Sequence, residues 1–210
     1  MEGLEERTFQ TQTAAPVFAN LGSGRQTPER IRRLFPGWRE LRVDVDPGVE
    51  PDLVADLVDL SAIPSGTVQG VWASHCLEHL FRHEVNQALC EILRILAPDG
   101  FACLLVPDLQ IIAAHVAEDR LDTEIYTAPA GPVTPHDVLF GFGAAIAEGH
   151  RFMAHRCGFT PSSLATVVGA CGVGQFVVLR RPNFELACVI QKSGWASEAD
   201  RDQLIRRLRL

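Results

Sequence analysis

A mostly parallel sheet with helices on both faces is the architecture this sequence predicts, and three observations carry it. A short apolar strand runs through a glycine turn into a helix between Val17 and Phe35; strands then alternate with helical stretches as far as Val106; and two β-rich runs near the end are close enough to form an antiparallel hairpin. The chain has 210 residues, 47% hydrophobic and 21% charged, which is enough for one domain with a buried core and a peripheral appendage.

The first strand is Val17-Phe-Ala-Asn-Leu21, which ends in Gly22-Ser23-Gly24. Thr27-Pro28-Glu29 starts a helix, with Thr27 as N-cap and Ile31, Leu34 and Phe35 on its apolar face, and Pro36-Gly37 stops it. Leu41 to Asp46 alternates as a second strand, Leu53 to Ala55 is a short third one ending at Asp56, and Val68 to Ser74 is the fourth. Leu77 to Leu96 reads as one helix with Leu89, Ile92, Leu93 and Leu96 at core spacing. Phe101 to Val106 is a fully buried fifth strand closed by Pro107. Beyond it, helices over Leu109–Glu118 and His136–Ala147 flank a Pro- and Gly-rich connection from Tyr126 to Pro135, long for a plain crossover and of the kind that shapes or covers a site. Pro161 to Cys171 returns to helix, and Gln175–Arg180 with Phe184–Gln191 form the hairpin. The organisation expected is a mobile arm over residues 1–15, a main domain over 16–192 with a substrate-side insertion over 107–160, and a helical tail over 193–210 capped by Ser197.

Composition excludes several function classes. With 19 Lys and Arg against 26 Asp and Glu, the net charge of −7 opposes a surface that neutralises nucleic-acid phosphates or sits on anionic lipid. No segment has the length and apolarity of a membrane span, and the acidic start Met1-Glu-Gly-Leu-Glu-Glu-Arg7 lacks the pattern of a secretory signal. The six cysteines are dispersed without a C-x-x-C pair, so the expectation is reduced thiols in a cytoplasmic protein. The basic C-terminal helix is a solvated face or a subunit contact, which leaves a homodimer open.

Chemistry concentrates at the strand ends. Glycines at 22 and 24 let the backbone approach a ligand, and Asp44, 22 residues after Gly22, stands where a carboxylate accepts from both hydroxyls of a ribose. Asp46 points the same way one strand repeat later and competes for that role. Asp56 at the third strand end suits an adenine amino group or, equally, a cap. Where a dinucleotide fold places a third glycine the chain has Thr27, which counts against a pyrophosphate.

The segments Asn20-Leu-Gly-Ser-Gly24, Val43-Asp-Val-Asp-Pro47, Val54-Ala-Asp56, Ser74-His-Cys-Leu-Glu-His-Leu80 and Leu96-Ala-Pro-Asp-Gly100, in this order, resemble a class I S-adenosylmethionine-dependent methyltransferase. The resemblance implies a Rossmann-like seven-stranded sheet with a terminal antiparallel hairpin and a helical insertion after the fifth strand. It further implies S-adenosylmethionine as cofactor: Asn20, Gly22, Ser23 and Gly24 beside its methionine part, Asp44 with Val45 at the ribose, Asp56 with Leu57 framing the adenine, and Ser74 and His75 bordering the sulfonium. The sequence departs from the family pattern in a glycine loop cut short after Gly24 and in Val68-Gln69, where a Phe-Asp pair is common.

His75, His79 and His83 recur every four residues, which on a helix aligns them beside Glu78, but the order is not H-E-x-x-H and no metal is expected. Glu78 and His79 are read as structural or as pocket-lining. The insertion holds Tyr126, His136, Asp137 and His155; Thr134-Pro-His-Asp137 is equally a helix start. The function expected is transfer of a methyl group to a small-molecule acceptor, with His79 and His136 as candidate bases and Glu78, Tyr126, Asp137 and His155 as acceptor contacts. The rivals are a nicotinamide-dependent oxidoreductase and a catalytically inactive scaffold of the same fold.

Overall fold

A computed structural model describes residues 15–210, so the expected arm over residues 1–15 lies, apart from Ala15, outside the described residues. In chain order the elements are β1 (Val17–Leu21), α1 (Glu29–Arg32), β2 (Arg39–Asp44), β3 (Leu53–Val54), β4 (Val68–Ser74), α2 (Val85–Ile95), β5 (Leu96–Pro107), α3 (Leu109–Ala117), β6 (Tyr126–Ala128), β7 (Gly131–Val133), α4 (Pro135–Phe140), α5 (Gly143–Ala147), α6 (Pro161–Gly169), β8 (Gln175–Arg181), β9 (Glu185–Gln191) and α7 (Glu198–Leu208). The main sheet has the order β3-β2-β1-β4-β5-β9-β8. Its first five strands run parallel, and β9 and β8 join antiparallel as the expected hairpin. Leu21 pairs with both Val43 and Ala73, so the ends of β1, β2 and β4 stand side by side. The strand order reverses between β1 and β4, and that switch point is where open parallel sheets bind ligands.

Both sheet faces are covered, because successive strand residues point opposite ways. Val71 faces a core filled by Leu89 and Ile92 of α2 and Leu164 and Val168 of α6, whereas its neighbour Trp72 faces a core of Phe18, Ile31, Leu34, Phe35 and Leu208. Phe18 and Phe35 stack with ring centroids 4.1 Å apart. The tail helix α7 thus spends its apolar side on its own sheet. The insertion builds a small core of its own from Ile112, Val133 and Val138, against which Tyr126 and Phe184 pack.

Four local expectations need correction. Thr27 does not cap α1: the N-cap is Pro28, and the Thr27 hydroxyl is instead held by the Asn20 amide and the Glu40 carboxylate, which ties the glycine loop to β1 and β2. The helix read over Leu77–Leu96 is a single 3-10 turn at Leu77–His79, an extended Leu80, and then α2 from Val85. Its reason is tertiary: the Glu78 carbonyl accepts from the amides of Arg156 and Cys157, so it is not free to accept within a helix. The aligned face of His75, His79 and His83 therefore does not exist. The helix read over His136–Ala147 breaks at Gly141, where φ is +98° and a Cβ would lie 2.0 Å from the Met153 carbonyl oxygen. The connection from Tyr126 to Pro135, read as irregular, contains the β6–β7 hairpin.

Candidate active site

The turn after β1 is dictated by Gly22 and Gly24, both left-handed with φ of +65° and +59°. A Cβ on Gly22 would come within 2.9 Å of the Cys76 Cβ, whereas one on Gly24 would meet nothing within 4 Å. Arg42, which the sequence reading passed over, holds this loop from β2: its guanidinium donates to the carbonyls of Gly24, Arg25, Val49 and Glu50. Asp44 braces it from the same strand, accepting from the Gly24 amide at 2.8 Å through Oδ2 and from the Asp46 amide at 3.0 Å through Oδ1. A carboxylate offers about four acceptor sites, so each oxygen keeps one for a ligand. Asp46 instead caps the 3-10 turn Pro47–Val49 by accepting from the Gly48 amide, which separates the two competitors for the ribose.

A cavity of about 450 Å³ opens at these strand ends. Gly22, Gly24, Asp44, Val45, Asp46, Asp56, Leu57, His75 and His79 line it from the sheet, and Ala145, His150, Phe152, Met153 and Arg156 close it from the insertion. Asp56 accepts from the Val58 amide, which makes it a turn cap as well as a cavity residue. The glycine loop is also a wall of a second cavity of about 460 Å³, on which Asn20, Ser23 and Ser74 lie with Arg181 and Glu185. The residues that the resemblance assigned to the cofactor are thus divided by the loop, Gly22 and Gly24 facing both sides.

At the end of β4, His75 adopts a left-handed φ of +53°, unusual for a side-chain-bearing residue. Its ring is gripped by two carboxylates, Nδ1 at 3.1 Å from Glu78 and Nε2 at 2.8 Å from Glu185. Burial alone would lower its pKa, but the hydrogen bonds to Glu185 and Glu78 outweigh it and raise it to about 10. Arg181 pairs with the other oxygen of Glu185 at 3.0 Å, so two carboxylates face two cations and the cluster is balanced in charge. The pairing with Glu185, 110 residues away, has no signal in the sequence.

Glu78 is 1% exposed. Burial would raise its pKa, yet His75, His79 and His155 lower it. His79 and His155 meet with ring centroids 4.8 Å apart. Burial lowers the pKa of His155, with Glu78 and the Val138 carbonyl opposing.

The structure separates the remaining candidates from this place. His136 is exposed in the first turn of α4 and packs against Phe140. Asp137 completes the Thr134 capping box, and its Oδ1 accepts from the Gly143 amide at 3.0 Å. Tyr126 stacks on Phe184 in the small core of the insertion. None of these three is among the residues that line the cavity.

Residues 22–104 match the model of the family described as "Methyltransferase domain". Among solved structures, similar chains include a protein from Pyrococcus horikoshii, 13% identical with a TM-score of 0.57 over 87% of this chain and 84% of that one. A SAM-dependent methyltransferase from Archaeoglobus fulgidus is 13% identical with a TM-score of 0.56, covering 85% of this chain and 87% of its own. The 1,6-didemethyltoxoflavin-N1-methyltransferase of Burkholderia thailandensis, solved with 1,6-didemethyltoxoflavin and S-adenosylhomocysteine, is 18% identical with a TM-score of 0.52, covering 86% of this chain and 72% of that one. No curated protein matches the sequence. The fold is that of class I methyltransferases, and the segment from Gly22 to Leu104 is similar to the methyltransferase-domain family.

Proposed function

We propose that this chain is an S-adenosylmethionine-dependent methyltransferase that methylates a small-molecule acceptor. The observation that carries the reading is the convergence of Gly22, Gly24, Asp44 and Asp56, all within the segment that matches the methyltransferase-domain model, on one cavity at the switch point of the sheet. The cavity passes the test of fit: its volume lies in the range of roughly 300–1,000 Å³ usual for small-molecule sites. Its floor at Gly22 also has no room for a Cβ. Gly22 and Gly24 would hold the cofactor by their backbone, Asp44 by the ribose hydroxyls, and Asp56 with Leu57 at the adenine.

When bound, S-adenosylmethionine supplies a methyl group on a positively charged sulfur that departs as a neutral sulfide. The chain's own contribution is chiefly position. Glu78 and Glu185 clamp the His75 ring at the end of β4, with Arg181 pairing the second oxygen of Glu185, and so fix the left-handed bend that borders the cavity. Ala145, Phe152 and Met153 of the insertion offer apolar surface to the acceptor. His79 stands between: its Nδ1 bonds the Ala154 carbonyl at 3.2 Å, and because a carbonyl only accepts, Nε2 carries the lone pair that takes a proton or holds the acceptor. His136, exposed on α4, is the weaker of the two candidate bases.

Residues 107–160 form the acceptor side. Among the described residues no helix is long and apolar enough to cross a membrane. All six cysteines are unpaired, which suits a cytoplasmic setting. Incubation with methyl-labelled S-adenosylmethionine and a panel of phenols, amines, thiols and activated carbon acids tests the reading. Label transferred to one acceptor class supports it, and cofactor binding without transfer to any of them would favour the inactive scaffold.

A further inference from the structure

Glu78, His79 and His155 come from two segments far apart in the chain and meet behind the cavity wall, which His79 alone of the three lines. The segments are locked together by the amides of Arg156 and Cys157 donating to the Glu78 carbonyl and by the Cys157 thiol donating to the Leu77 carbonyl. One ligand-type atom from each of the three residues lies within 4.8 Å of the other two.

Both histidines are oriented by their second nitrogen. Nδ1 of His79 bonds the Ala154 carbonyl at 3.2 Å, and Nδ1 of His155 bonds the Val138 carbonyl at 2.8 Å. Each Nδ1 is therefore the protonated donor, and each Nε2 keeps its lone pair. This is how metal-ligating histidines are fixed by their surroundings. Glu78 is fixed in the same manner, one oxygen occupied by His75. Its other oxygen, Oε2, is buried and has no hydrogen-bond partner among the described residues. A buried acceptor left unmade is costly, and a fully buried carboxylate oxygen more so.

We propose that Glu78, His79 and His155 form a binding site for one divalent first-row transition-metal ion, in a two-histidine, one-carboxylate arrangement. The donor set chooses the class: two imidazole nitrogens with a single carboxylate suit zinc, iron(II), cobalt or manganese, whereas magnesium and calcium prefer all-oxygen shells. Ligand atoms around an ion at about 2.1 Å stand roughly 3–4 Å apart, so the three side chains need close in by only about 1 Å. Three protein ligands leave coordination positions open. His79 lines the cavity, so those positions are on the side of an incoming acceptor, which the ion holds through an oxygen donor. This last step rests on the methyltransferase reading; ion binding itself does not. A bound ion also takes the His79 lone pair, which makes that residue a ligand in place of a base.

The full-length protein, stripped with a chelator, is titrated with Co²⁺ while its visible absorption is followed, and with Zn²⁺ in a calorimeter. One ion per chain is expected, with affinity at least tenfold weaker in His155→Gln, His79→Gln and Glu78→Gln and unchanged in His83→Gln, whose ring is exposed. Thermal melts of each variant exclude unfolding, and His155→Gln stands in should Glu78→Gln fail to fold. Absence of binding, or binding that survives His155→Gln in a folded protein, overturns the site. S-adenosylhomocysteine titrated into the same samples separates the two claims: cobalt bound without it would sink the methyltransferase reading and leave the metal site standing.

Discussion

Replacing Gly22 and Gly24 by alanine, one at a time, separates two costs that the glycine turn combines. Both positions are left-handed, with φ near +60°, so each alanine carries a conformational penalty of about 1–2 kcal/mol. Only Gly22 adds a clash, because its new Cβ stands 2.9 Å from the Cys76 Cβ, and Cys76 is held in the core directly after His75. Relief of that contact by overpacked groups adds about 1–3 kcal/mol. Gly24→Ala should therefore lose about 1–2 kcal/mol and Gly22→Ala about 2–5 kcal/mol. At about 2–4 °C of melting temperature per kcal/mol for a chain of this size, the first falls by roughly 2–8 °C and the second by roughly 4–20 °C. Urea denaturation measures the difference, and Cys76→Gly placed on Gly22→Ala should restore part of it by removing the atom struck. Equal losses for the two alanines, or no rescue, would refute the reasoning.

Phe159 is wholly buried in the larger core, and Phe159→Ala should cost about 3–5 kcal/mol in urea denaturation. Asp137 is partly buried, which would raise its pKa, but bonds from the Gly143 amide and Thr134 hold it below the ordinary aspartate value. A carboxyl so lowered stabilises the fold above its unfolded pKa of about 3.9, and that stability disappears as pH falls through the lower folded value. Asp137→Asn should accordingly flatten the acid limb of a stability–pH profile, and an unchanged limb would remove Asp137 from it. Among the thiols, burial pushes Cys157 and Cys171 to about 11 and Cys188 to about 12, while Cys90 is exposed. Labelling with a disulfide reagent near pH 8 should show one fast thiol that Cys90→Ser abolishes.

The glycine loop, Asp44 and the hairpin were legible because each is written locally: a glycine where φ must be positive, an acid at a strand end, β-branched runs on either side of Arg181-Pro-Asn183. The break after Leu80 was not. Leu77 and Leu80 keep helical spacing, and what stops the helix is a carbonyl claimed by Arg156 and Cys157 from a remote segment. The same holds for His75, whose grip by Glu185 is created by β9 lying beside β5, and for His155, which reaches Glu78 only because the insertion folds back over the sheet. Local composition names such residues without pairing them. The regular spacing of His75, His79 and His83 points to a helical face, whereas the contact that forms is between His79 and His155. Asp137 shows the opposite case: its capping role was local, and the structure keeps it there.

Calorimetric titration of S-adenosylhomocysteine into the wild-type chain and into Asp44→Ala tests the central claim most directly. Asp44 braces the loop through Gly24 and faces the cavity, so the account predicts one site per chain in the wild type and a loss of at least tenfold in affinity in the variant, with NAD and NADP silent in both. No binding to the wild type, equal binding by a folded Asp44→Ala, or a response to a nicotinamide alone would contradict it.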